Sequence, residues 1–141
     1  MTHDLIYPMF AMVVLTTMVG FVTLKTRIQA ARSGQTDPRY FKTFTYGTPT
    51  DAVLKTGRHF SNLFEVPTLY YAGCLAGMMV GVAGMLPLSF AWIFVLARIA
   101  HAWIHIGNNK IFPRMGSFWV GYVSMFGLWV CVLVRTLQIS V

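Results

Sequence analysis

The sequence predicts an all-α fold, a four-helix transmembrane bundle with both termini on the non-cytoplasmic side, and three observations carry that expectation. Hydrophobic residues fill 56% of positions and charged ones only 11%, against about 25% charge in a soluble domain. Long stretches carry no charge at all: Leu5 to Leu24, Val66 to Ala97, and Ser117 to Val134. The basic residues are also segregated. Lys25, Arg27, Arg32, Arg39, Lys42, Lys55 and Arg58 lie between the first and second stretches, Lys110 and Arg114 precede the last, and only Arg135 follows it. The positive-inside rule then places both basic connections in the cytoplasm, in an inner membrane if the source is bacterial.

The 141 residues form a single integral membrane domain, with spans expected at about 5–24, 66–86, 89–106 and 117–137. Leu5 to Leu24 is long enough as helix to cross a hydrocarbon core of about 30 Å. Val66 to Ala97 is thirty-two residues, too many for one span and too few for two of roughly 20 residues each. Leu86-Pro87-Leu88-Ser89 supplies the expected break, and the third helix must then run past Arg98 to about Ile106. The N-terminus, Met-Thr-His-Asp, has no basic n-region, so the first span is expected to stay in the protein. Cys74 and Cys131 lie within spans, without disulfide or metal spacing, and read as small buried hydrophobes.

The first helix is apolar on every side, with Pro8 near its outer end, where proline is best tolerated. Lys25, Arg27 and Arg32 suit its C-terminus, and Ser33-Gly34 stops it. Arg27 is close enough to the span to turn inward. Asp37 to Gly47 comes next as a loop whose Tyr40, Phe41, Phe44 and Tyr46 suit a membrane interface. In Thr48-Pro49-Thr50-Asp51 the order cap, proline, acid predicts that the second helix starts at Thr48, several turns before the hydrocarbon. Pro67 frees the carbonyl of Leu63, so a bend is expected beside Glu65. Beyond it, Gly73, Gly77 and Gly81 form a small-residue ridge for a neighbouring helix.

Two polar stripes stand out. Arg58, Asn62 and Glu65 fall at i, i+4 and i+7, one face of a helix about to enter the bilayer. Arg98, His101, His105 and Asn109 fall at offsets of 0, 3, 7 and 11, again one stripe. Polar groups at such depth need partners. Of the four carboxylates, Asp4, Asp37, Asp51 and Glu65, only Glu65 is near the depth of Arg98. An Arg98–Glu65 pair is therefore expected, at the base of a cytoplasm-facing cavity, with the loop Gly107 to Gly116 bringing Lys110 and Arg114 to its mouth. His101 and His105, one turn apart, have the spacing of metal or haem ligands. Two histidines do not complete a site and no third ligand lies at a suitable spacing, so no metal is expected.

The net charge of +7 mostly reflects topology. It also suits anionic lipid headgroups or an anionic substrate, whereas basic loops wedged between spans do not suit nucleic acid.

The residues resemble the MAPEG family, membrane-associated proteins in eicosanoid and glutathione metabolism, and come nearest its short, mostly bacterial branch. RHFSNLFEVP at 58–67 is similar to the family's R-x-x-x-N-x-x-E signature followed by proline. ARIAHAWIHIG at 97–107 resembles its helix-three pattern, and Arg114 with Phe118 falls where members carry arginine and tyrosine. The resemblance implies a homotrimer binding glutathione between subunits on the cytoplasmic side and attacking a lipophilic electrophile from the bilayer, as a transferase or peroxidase. It implies that Arg58, Asn62 and Glu65 bind glutathione, that Arg27, Arg98, His101 and His105 support it, and that Arg114 stabilises the thiolate. Departures are Ser61 in place of arginine, His105 and Phe118 in place of tyrosine, and Met115 in place of serine. The competing expectation is a non-catalytic component, or an accessory subunit of a membrane complex, in which the stripes act as interhelical glue.

Overall fold

The computed structural model describes residues 3–140; Met1 and Thr2 of the N-terminal stretch, and Val141, lie outside the described residues. Within them the chain is helical throughout: α1 (Ile6–Arg32), α2 (Tyr40–Thr43), α3 (Asp51–Asn62), α4 (Val66–Met79), α5 (Met85–Ile106) and α6 (Ile111–Ile139). No strand occurs among the described residues. Three helices, α1, α5 and α6, are long and apolar enough to cross a membrane.

α1 runs unbroken because Pro8 sits in its first turn, where backbone N–H groups have no intrahelical acceptor to lose. It ends as expected: Ser33 donates its N–H to the Gln29 carbonyl at 2.9 Å, and Gly34 takes φ +70°. Thr16, Thr17, Thr23 and Thr26 each donate a hydroxyl to the carbonyl four residues back. An apolar span can thus carry four hydroxyls without leaving them unsatisfied.

The expected second span is where sequence and structure part. Its helix is capped by Thr50, whose hydroxyl accepts from the Val53 N–H at 3.4 Å, two residues later than Thr48. The bend expected at Pro67 is a full interruption over Leu63–Glu65, since proline offers no N–H to the Leu63 carbonyl. After the interruption α4 has only 14 residues, or about 21 Å of helix. It stops at Met79, and the break before α5 falls at residues 80–84 rather than at 86–89. Gly81 and Gly84 take φ +72° and +107° there, conformations that side chains with a Cβ resist. Pro87 instead sits in the first turn of α5, where its missing N–H costs nothing. For the same reason Pro113 fits the first turn of α6, which begins at Ile111. The connection expected to reach Gly116 is therefore only four residues, and Arg114 stands on a helix instead of a loop.

α5 and α6 pack against each other along most of their length, with α4 against α6 and α3 against both α1 and α5. In the apolar half, the Tyr70 and Phe94 rings stack with centroids 4.1 Å apart. Both are fully buried with Met12, Cys74, Ala91 and Leu128. Two members of the glycine ridge serve that packing: a Cβ on Gly73 would lie 3.0 Å from Trp129 Nε1, and one on Gly77 would lie 3.4 Å from Val132. Trp129 in turn donates to the Leu69 carbonyl at 3.0 Å. Gly81 lies past the helix and makes the turn. Cys74 is fully buried and Cys131 half-buried, both free. Outward-facing Tyr7, Phe10, Met18, Phe21, Phe126 and Leu133 leave an apolar exterior suited to lipid.

Candidate functional site

α3 is strongly amphipathic, and its two faces do different work. Val53, Thr56 and His59 are buried, while Arg58 is exposed on the other side. Thr56 anchors the buried face by offering its carbonyl to the Thr23 hydroxyl at 3.2 Å. The opposite face, with the interruption after it, lines a cavity of about 720 Å³. Arg27, Arg58, Asn62, Glu65 and His105 all border it, joined by Tyr40, Phe44, Gly57 and Ser61. The helix break does not scatter the polar stripe, because Glu65 comes a single turn after Asn62. Asn62 donates to Glu65 Oε2 at 3.2 Å.

Arg27 does turn inward from α1. Its guanidinium stands 5.4 Å from the Phe44 ring centroid, and its Nε is buried without a partner. Two of the loop aromatics expected at a membrane interface, Tyr40 and Phe44, therefore serve the cavity, and Tyr40 is buried beside Ala30 and Val53. Beyond them, Asp37 and Arg39 form a surface ion pair at 2.9 Å that holds the Asp37 carboxyl below its ordinary range through hydrogen bonds from Arg39.

A second cavity of about 330 Å³ shares Leu54, Arg58 and His105 with the first and adds Asp51, Lys55, Asn109 and Arg114. Arg114 is oriented by a hydrogen bond from Nη1 to Asn109 Oδ1 at 2.6 Å. Asn109 is able to meet it because it adopts φ +52°, a left-handed conformation that asparagine tolerates better than most residues.

The expected Arg98–Glu65 ion pair is not formed; among the described residues the ion pair is Arg39–Asp37. Arg98 is fully buried and donates instead to Asn62, through Nη2 to both its backbone carbonyl at 3.3 Å and its Oδ1. Asn62 thus stands between cation and carboxylate, accepting from one and donating to the other. The short amide fits the depth that the interruption sets, while Glu65 stays exposed at the start of α4. Phe118 offers its ring face to Arg98 at 5.7 Å, a cation–π contact.

Behind the cavity, three imidazoles meet. His59 of α3 faces His101 and His105 of α5, with ring centroids 5.5 and 5.1 Å away. His59 is fully buried, and His101 and His105 are nearly so. The Arg58–Asn62 face of α3 gives no hint of His59, which projects about 100° away from Arg58. The signal lies in the spacing of Val53, Thr56 and His59, three residues apart on the buried face.

Long apolar helices enclosing a polar cavity at one end define a helical integral membrane protein. The chain belongs to the MAPEG family, whose pattern matches residues 5–134, nearly the whole chain. Membership brings the coarse function with it, a membrane protein of glutathione-related and eicosanoid-related metabolism. No curated protein and no solved structure matches the chain.

Proposed function

We propose that the protein is a membrane-bound glutathione-dependent transferase or peroxidase acting on lipophilic electrophiles. The observation that carries the reading is the 720 Å³ cavity, which Arg27 of α1 borders together with Arg58, Asn62 and Glu65. Its size falls within the usual range of about 300–1,000 Å³ for small-molecule sites. Glutathione carries two carboxylates, one ammonium and two amides. Two guanidiniums match the two carboxylates and one carboxylate matches the ammonium, while the Asn62 side chain offers an amide to the peptide groups. The buried, unpartnered Nε of Arg27 fits the same conclusion, since a buried donor is costly until something accepts from it.

In this reading Arg27 and Arg58 hold the carboxylates in bidentate fashion, Glu65 accepts from the ammonium, and Asn62 serves the peptide amides. Arg98 and His101 act from behind, through Asn62 and the backbone of Arg114. Glutathione, when bound, supplies the sulfur nucleophile. Arg114 faces the adjoining cavity, and its positive charge favours the thiolate over the thiol. The electrophile enters from the bilayer side, where the exterior is apolar. A homotrimer, four membrane-crossing elements (α1, α3 with α4, α5, α6), outward termini and cytoplasmic basic connections complete the proposal. The Asn62 link between Arg98 and Glu65 favours a second reading, in which the polar groups only tie helices together in a non-catalytic component.

Calorimetry with glutathione on the detergent-solubilised protein, beside conjugation of an aromatic halide, separates the two. We expect saturable binding and turnover, with Arg114→Ala reducing kcat by about 100-fold or more while glutathione affinity changes a few-fold. Folded protein showing neither binding nor conjugation sinks the enzymatic reading.

A further inference from the structure

We propose that His59, His101 and His105 form a three-imidazole site for a zinc-type transition-metal ion, at the junction of α3 with α5. Each residue offers one ring nitrogen, and the three atoms lie within 4.8 Å of one another. The three ring centroids are 5.1, 5.5 and 5.6 Å apart. On a tetrahedral ion with Zn–N bonds of about 2.0–2.1 Å, imidazole centroids stand about 5.2 Å apart and the ligating nitrogens about 3.4 Å. The rings already have the separation that a shared ion requires. Closing the nitrogens onto it is chiefly a matter of ring rotation.

Hydrogen bonding points the same way. His101 Nδ1 lies 3.0 Å from the Arg114 carbonyl, which can only accept, so Nδ1 carries the proton and Nε2 keeps a free lone pair. This is the arrangement by which a backbone carbonyl orients a ligating histidine. Both nitrogens of His59 and the Nδ1 of His105 are buried with no partner. Buried polar nitrogens are normally satisfied. A single ion would take the lone pair of one His59 nitrogen and that of one His105 nitrogen together, while the other nitrogen of His59 carries its proton.

Neutral imidazoles select zinc, copper or nickel over magnesium or calcium, which prefer oxygen. Zinc is the commitment here, because three nitrogens and one open position make a usual zinc coordination. Arg98 and Arg114 stand close, so an anionic oxygen or sulfur at the fourth position is needed to offset the accumulated positive charge. His105 borders both cavities, which gives such a ligand a route in.

The test is made on the full chain in detergent, stripped with chelator, then titrated with Zn2+ by calorimetry and with Co2+ by visible absorption. Neither readout involves glutathione, so the result is independent of the enzymatic reading. We expect one ion per chain and the intense visible band of four-coordinate cobalt. His59→Ala and His105→Ala should each weaken binding about 100-fold or more, while His3→Ala, remote in sequence from the cluster, leaves it unchanged. Where an alanine variant fails to fold, His59→Asn keeps a polar side chain of smaller reach and serves in its place. Lack of saturable binding by the folded wild-type protein overturns the site. So does binding that survives loss of His59 and His105, or that disappears with His3.

Discussion

The two ends of the α5–α6 pair bury side chains in opposite ways. Around Tyr70, Phe94 and Leu128 every side chain is apolar or has its hydrogen bond within the fold: Tyr70 reaches the Ala91 carbonyl at 3.5 Å and Trp129 that of Leu69 at 3.0 Å. Around Arg98 and His101 polar side chains are buried among the alanines, and several of their nitrogens have no partner. The buried side-chain nitrogens without partners among the described residues belong to Arg27, His59, Arg98 and His105, all at this second end. Packing completes the first region from within the chain. The second keeps buried nitrogens that packing within the chain does not pair, and both proposed sites lie there.

Breaking the apolar end should have the largest effect on stability. Phe94→Ala removes a fully buried ring stacked on Tyr70, and large-to-small changes of this kind cost about 3–5 kcal/mol. Thermal unfolding in detergent should show it as a large drop in Tm. Glutathione binding, measured below that Tm, should be little altered, because the lost ring lines neither polar cavity. A variant that lost binding while keeping its Tm would mean that the two ends are not separable.

The polar end should be sharpened by Asn62. Replacing it with alanine strips the buried Arg98 of its described side-chain partner, a loss of about 1.5–3 kcal/mol for a bond to a charged group. Asn62→Asp keeps the acceptor and adds the opposite charge, so its Tm should return to near the wild-type value or above it. Because aspartate cannot donate to Glu65, glutathione affinity should still fall in that variant. Equal Tm values for the alanine and aspartate variants would argue that Asn62 does not serve Arg98.

The smallest effect is expected outside both regions, at Asp37 and Arg39. Their ion pair is on the surface, where solvent screens it, and Arg39→Ala should leave Tm at neutral pH unchanged. The sign of its pH dependence is nevertheless fixed. Asp37 has a lowered pKa in the folded protein, so its contribution is present above the ordinary carboxylate range and is lost as pH falls through the lowered value. Any wild-type advantage over the variant should therefore shrink on acidification and never grow.

Much of the cavity is legible in the sequence, because helical periodicity relates residues a few positions apart. Arg58 and Asn62 come from a spacing of four, and Arg27 from its distance past the first span. Long-range partners are not legible in this way. Depth in the membrane selects Glu65 as the mate of Arg98, but depth does not say which side chain intervenes, and Asn62 does. Likewise, the sequence assigns the break near residue 86 to proline, whereas glycines at 81 and 84 make it. A proline in a first turn and one in a helix interior look alike in sequence, and only the position of the helix start tells them apart.

The sequence by itself determined the all-α class, the apolar stretches that become α1, α5 and α6, and the amphipathic character of α3. Those depend on local hydrophobicity and on a period of 3.6 residues, both of which are written along the chain. Only the tertiary structure decided that the second helix is cut at Leu63–Glu65, that Asn62 stands between Arg98 and Glu65, and that His59 completes a triad with His101 and His105. Each depends on how two helices are rotated against one another. That rotation is set by packing over the whole contact, so no single stretch of sequence contains it.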